Sequence, residues 1–178
     1  ELSSDIHKNT ARIFHTNFKK ENNSSPNIIL ITVESLSGDF LKEFGNNKDL
    51  TPNLDTLSEK GLFLTNLFAT GTRTVRGMEA ITLSIPPTPG RSIVKRPNNE
   101  DLDSIGFILR EHGYETEFIY SGYGYFDNMN YFYNKNGFNI FDRTYIPKDE
   151  ITFANIWGVC DQDIYSQTIK LADKFYSK

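Results

Sequence analysis

Apolar and polar positions along this chain alternate between strand-like runs and helix-like stripes. Ile6, Ile13, Phe14 and Phe18 suggest a weak amphipathic helix, and the polar stretch from Lys20 to Pro26 reads as a linker. Asn27 to Val33 (NIILITV) is continuously apolar and β-branched, the composition of a strand buried on both faces. It stops at Glu34–Ser35, where a turn is expected. Thr51–Pro52 opens a helix by N-cap and N1 chemistry, with Leu54 and Leu57 as its inner face and Gly61 as its end. Leu62 to Phe68 is a second expected strand. A polar turn, Gly71 to Gly77, leads to a helical stretch from Met78 to Ile85, which Pro86–Pro87 stops. Leu102, Ile105, Ile108 and Leu109 mark a further helix closed by Gly113, and Glu115 to Tyr120 is a third strand. Ser121 to Phe138, rich in Gly, Tyr and Asn, reads as a long loop with one short helix. Asp161 to Lys178 is a last amphipathic helix with Ile164, Tyr165, Ile169 and Leu171 near one face.

Strands separated by helical segments predict an α/β fold with a largely parallel sheet and flanking helices. No repeat of fixed period is present. Of the 178 residues, 38% are hydrophobic and 13% aromatic, enough for a packed core. The net charge of -4 argues against a general nucleic-acid binder, and no nucleic-acid partner is expected. No apolar run reaches the roughly 18 residues of a membrane span, and no signal-peptide pattern is seen. The single Cys160, beside Trp157 and Val159, rules out an internal disulfide and reads as a packed thiol.

In open α/β sheets ligands gather at the carboxyl ends of strands. Two features fall there: Glu34, ending the first run, and the turn Gly71–Thr72–Arg73–Thr74, following the second. Glu34 is either a ligand or a solvated strand end. A hydroxyl opening a helix sits where N–H groups and the dipole favour an anion, so Thr74 could attack a phosphoryl group. Thr72 and Thr74 serve equally well as N-caps. Arg73 and Arg76 would offer charge to an anionic ester, or be ordinary surface side chains.

Taken in order, NIILITVES, TPNLDTLSEKGLFLTNLFATGTRT and LREHGYETEFIYSG resemble the sulfatase-like, alkaline-phosphatase-superfamily fold. Within it, RTVRGMEAITLSIPPTPG is similar to the branch of lipoteichoic acid synthases and phosphoethanolamine transferases. The resemblance runs from about Asn27 to Ile164. It implies that residues 26–178 are the N-terminal part of a catalytic domain, with residues 1–25 approaching from a membrane region. It implies an extracytoplasmic location, periplasmic or cell-surface.

The same resemblance assigns roles. Glu34 matches the first metal-binding carboxylate, and Thr74 matches the threonine that is both nucleophile and metal ligand. Where true sulfatases carry C/S-x-P-x-R, this chain has T-V-R-G-M, so formylglycine-based sulfate-ester cleavage is disfavoured. Asp127 matches a residue of the loop that holds a glycerol-phosphate head group. Tyr125, Phe132 and Asn134 stand where well-known members carry His, Trp and Arg; Tyr125 and Phe132 could equally be core residues. Trp157 to Asp161 matches a segment read as structural. The remaining ligands, an Asp–His pair, belong to a C-terminal half not found here, and His7, His15 and His112 do not replace them. A divalent cation (Mn²⁺, Mg²⁺ or Zn²⁺) is therefore expected at an incomplete site. The implied partners are an anionic phospholipid head group as donor and an envelope glycan or glycerol-phosphate acceptor, with self-association of an uncovered sheet edge. Alternatives are a sulfatase-like hydrolase or phosphodiesterase, and a degenerate non-catalytic binding module.

Overall fold

The computed structural model describes residues 26–176, so the expectations for the first 25 residues lie outside it. The described residues fall into two units, 26–38 and 39–176. In the first, residues 26–33 run without a sheet partner, and Glu34–Ser35 turn, with Ser35 at φ 58. The apolar residues of this run are exposed, Ile29 by 71%. The buried strand expected there is thus corrected. A parallel strand is held only by neighbours distant in sequence, and none of the described residues pairs with it.

The second unit opens with α1, Pro52–Lys60, which has Pro at its first position as expected. The Thr51 hydroxyl does not cap it, donating instead to the Phe40 carbonyl at 3.0 Å. Leu54 and Leu57, expected as an inner face, are exposed. The Leu62–Phe68 segment is likewise unpaired, with Phe68 exposed by 81%.

From α2, Thr74–Leu83, onward the chain packs. Ser84 ends this helix in the left-handed region, at φ 55. Helix α3, Ile105–Glu111, is capped by the Ser104 hydroxyl, which accepts from the Phe107 N–H at 3.2 Å. Strand β1, Glu117–Ile119, is followed by α4, Met129–Lys135, and β2, Asn139–Phe141. The two strands pair in parallel, with Phe118 opposite Ile140 and Ile119 opposite Phe141. A helical crossover between parallel strands is a βαβ unit, so the expected α/β class with a parallel sheet and flanking helices holds. β2 was not foreseen; it lies just beyond the segment read as loop.

Side chains alternate across this ribbon. Phe118 and Ile140 face a cluster of Val75, Leu83, Val94, Met129, Phe132 and Tyr133, while Ile119 and Phe141 face Ile146, Val159 and Ile164. Gly106 allows α3 to approach the turn after α4: a Cβ there would meet Phe138 Cε2 at 2.4 Å.

The last helix, α5, is Asp161–Tyr176. Its buried positions are Asp163, Ile164 and Gln167, whereas Tyr165 and Ile169 are exposed. Polar docking explains the shift: Asp163 accepts from Thr152 N–H and Oγ1, both at 2.8 Å. Cys160 is partly buried, 3.4 Å from Thr152 Oγ1.

Candidate functional site

Thr74 is the first residue of α2 and exposed; Arg73, at the N-cap position, is extended and makes no side-chain cap. The helix starts four residues before the expected Met78, so Thr74 lies at the helix N-terminus rather than within a turn. The buried stripe explains the earlier start. Val75, Glu79, Thr82 and Leu83 recur at helical spacing, and Gly77 sits among them without breaking the helix.

The Arg76 side chain makes two contacts within the fold. Its Nη1 donates to Glu79 Oε1 at 2.7 Å, and its Nη2 donates to the Gly90 carbonyl. These two contacts hold the guanidinium against the fold, with the Arg76 side chain 17% exposed. Its backbone carbonyl accepts from Thr70 Oγ1 at 3.3 Å. A Cβ on Gly71 would stand 2.9 Å from Arg76 Cβ, so the turn before Thr74 rests on this side chain.

Glu79, missed in the sequence, is fully buried. It accepts from Ser92 Oγ at 2.7 Å and from the Ile93 N–H at 2.5 Å, in addition to Arg76. Burial pushes its carboxyl up, but the hydrogen bonds from Arg76, Ser92 and Ile93 outweigh that and hold it below its ordinary value. The available signal was its position, four residues from Val75 and four from Leu83, on the apolar stripe itself.

Asp127 lies in a short helical turn, Phe126–Asn128, with φ 54; Asn128 follows at φ 65. Left-handed backbone at two successive non-glycine residues persists only where the surroundings hold it. Lys95 pairs with Asp127, and Asn128 Nδ2 donates to the Val94 carbonyl at 2.8 Å. Lys95 is a second residue that the sequence did not single out.

The other residues expected around Asp127 take different environments. Phe132 has no exposed surface and packs edge-on against Tyr133, with ring centroids 5.3 Å apart. Its expected substrate contact is corrected to a core role: it falls on the inner face of α4 beside Met129 and Tyr133. Asn134 is exposed on the same helix. Tyr125 is 70% exposed and stacks on Tyr123 at 5.3 Å, with the Arg143 guanidinium 4.5 Å from the Tyr123 ring. Trp157 is exposed and meets Phe126 edge-on at 5.9 Å, while Gly158 and Val159 are buried. His112 ends α3, its Nδ1 2.8 Å from the Ile108 carbonyl.

Glu34 is exposed and stands in the first unit, Thr74 in the second. Carboxylate and hydroxyl oxygens are the donor kind a hard divalent cation takes. No group of three or more His, Cys, Asp or Glu that could hold a metal ion gathers among the described residues.

Comparison with solved structures agrees with this α/β arrangement. A protein in the alkaline phosphatase superfamily from Vibrio parahaemolyticus is 40% identical, with a TM-score of 0.68 over 72% of this chain and 32% of its own. The lipoteichoic acid synthase LtaP from Listeria monocytogenes is 18% identical and shares the fold, with a TM-score of 0.64 over 71% of this chain and 31% of its own. The chain thus spans about a third of the length of each. The family model described as Sulfatase matches residues 26–177, and the chain belongs to the sulfatase family.

Proposed function

We propose that this chain carries the nucleophile of a metal-dependent enzyme that transfers a phospho-head group, of phosphoglycerol type, from an anionic phospholipid to an envelope glycan or glycerol-phosphate acceptor. The observation that supports this best is the placement of Thr74, exposed at the start of a ten-residue helix. There the first N–H groups and the dipole favour the negative charge of a phosphoryl group in transfer.

In the first step Thr74 Oγ forms a bond to phosphorus while the bond from phosphorus to the diacylglycerol oxygen breaks. The proton lost from Oγ balances the one gained by diacylglycerol. In the second step the acceptor hydroxyl bonds to phosphorus, and the phospho-threonine bond breaks and restores the Thr74 hydroxyl. Glu34 and Thr74 would each offer an oxygen to a divalent cation (Mn²⁺, Mg²⁺ or Zn²⁺). When bound, it supplies Lewis acidity and eases loss of the hydroxyl proton. The exposed Arg73, Tyr125 and Asn134 would be available to a head group, and Asp127, paired with Lys95, would position its loop beside it. The site would work outside the cytoplasmic membrane, as an anionic phospholipid donor and an envelope acceptor require.

The test uses the full-length protein with Mn²⁺ and vesicles carrying head-group-labelled phosphatidylglycerol. Thr74→Ala is expected to lower turnover by at least about a thousandfold. Mass spectrometry of the quenched wild type should find phosphate ester on Thr74. Undiminished turnover by Thr74→Ala would end this reading. The Sulfatase description of the family model favours a second reading, transfer to water. Labelled head group released freely, even with acceptor in excess, would decide for the hydrolase.

A further inference from the structure

We infer that Glu79 is a positioning residue that holds the nucleophile turn in fixed relation to the Asp127 loop; this rests on the reading of Thr74 as nucleophile. A carboxylate without solvent contact is costly unless hydrogen-bonded, and a leucine would suit the apolar stripe of α2 better. Glu79 instead collects donors from its own helix and from the segment Gly90–Lys95: Arg76 Nη1, Ser92 Oγ and the Ile93 N–H. Ser92 Oγ also lies 3.0 Å from the carbonyl of Val75, the residue after Thr74, and its one proton is shared between this carbonyl and Glu79. Arg76 reaches Gly90 as well, and the Thr70–Gly71 turn before Thr74 rests on Arg76. The chain on both sides of Thr74 is thereby tied to one buried carboxylate.

The same short segment then holds the second part. Val94 accepts from Asn128 Nδ2 at 2.8 Å, and Lys95 pairs with Asp127, which keeps these two residues in their left-handed conformation. Val94 is also anchored from behind by Asn99 Nδ2, at 2.7 Å. A continuous path therefore runs from Thr74 through Glu79 and Gly90–Lys95 to Asp127. Neutralising Glu79 replaces three charge-assisted hydrogen bonds by fewer, neutral ones and loosens the segment on α2, so the attacking oxygen and the head-group loop lose a firm common reference.

The experiment is a double-mutant cycle on the full-length protein with Mn²⁺ and head-group-labelled phosphatidylglycerol vesicles, with rates normalised to the folded fraction by melting. Glu79→Gln is expected to lower kcat about a hundredfold, as an ångström-scale misplacement does, with KM within about twofold. Asn128→Gly keeps the positive φ but drops the link to Val94, and should lower kcat by about tenfold. The double variant should lose clearly less than the product of the two, because both break one path. If Glu79→Gln does not fold, Ser92→Ala takes its place in the cycle, with the same kcat-only loss expected. A kcat within about twofold of wild type, a loss that merely follows the unfolded fraction, or strict additivity would each overturn the inference. Thr74→Ala runs alongside. If it stays active, the functional reading falls and the inference with it; if it is inactive while Glu79→Gln is not, only the inference falls.

Discussion

The ring of Phe118 lies flat on that of Tyr133, with centroids 3.8 Å apart and planes 8° from parallel. Strand β1 is thus seated directly on helix α4, 15 positions later in the chain. Phe118→Ala removes this contact and leaves a void against the cluster that holds Tyr133. We expect a loss of about 3 kcal/mol, read from urea unfolding followed by circular dichroism.

Asn136 should be at least as sensitive. Its amide donates to the Asn99 and Phe132 carbonyls, both at 2.7 Å, and its Oδ1 accepts from the Leu102 N–H at 2.8 Å. The side chain is completely buried, so Asn136→Leu strands three backbone groups without water. A loss of about 3 kcal/mol is expected, while Asn134→Leu on the exposed side of α4 should stay within about 0.5 kcal/mol.

Gly106→Ala tests the closeness of α3. The new methyl would meet the Asn136 carbonyl at 2.6 Å as well as the Phe138 ring, and backbone cannot turn aside as a side-chain tip does. Overpacking of about 2 kcal/mol is expected despite alanine's better helix propensity, and thermal melting would register it.

Acid and alkali should act through different residues. Glu79 and Asp142 are both raised by burial but lowered more by hydrogen bonds, for Asp142 from Thr144 and the Gly124 N–H, with Arg143 adding charge. Their folded values lie below the unfolded ones. The stability they contribute is complete above the usual carboxyl range near pH 4 and is lost as pH falls through and below it. Burial pushes Tyr133 up to about 12, against a Thr82 hydrogen bond that lowers it. A raised phenol contributes fully below its unfolded value near pH 10 and loses that contribution as pH climbs toward 12. Tyr133→Phe should flatten the alkaline limb of a pH–stability curve and leave the acid limb unchanged.

The exposed apolar stretches should make this chain associate with itself when studied alone. Leu62, Leu67 and Phe68 lie far above half exposed, and the Ile28–Val33 run is open along its length. Sedimentation velocity should show concentration-dependent association, weakened in Leu67→Glu/Phe68→Glu. A monomer at every concentration would refute the expectation.

Much of the local architecture was legible in the sequence. Helix α1 begins at Pro52 and ends at Gly61, the Glu34–Ser35 turn falls where the apolar run stops, and α5 begins at Asp161, as read. These features depend on residues within a turn or two of each other, so periodicity and capping chemistry suffice. The same holds for the family resemblance, carried by short motifs around Glu34 and Thr74.

Tertiary structure alone decided the rest. An apolar run becomes a strand only if a distant segment pairs with it, which residues 27–33 lack among the described residues and Glu117–Ile119 finds in Asn139–Phe141. Whether Phe132 meets a ligand or the core depends on which face of α4 turns inward, and β1 settles that. Glu79 and Lys95 acquire their roles from partners 13 and 32 positions away. Composition shows that such groups exist, but only the closed fold selects which of many possible partners each one meets.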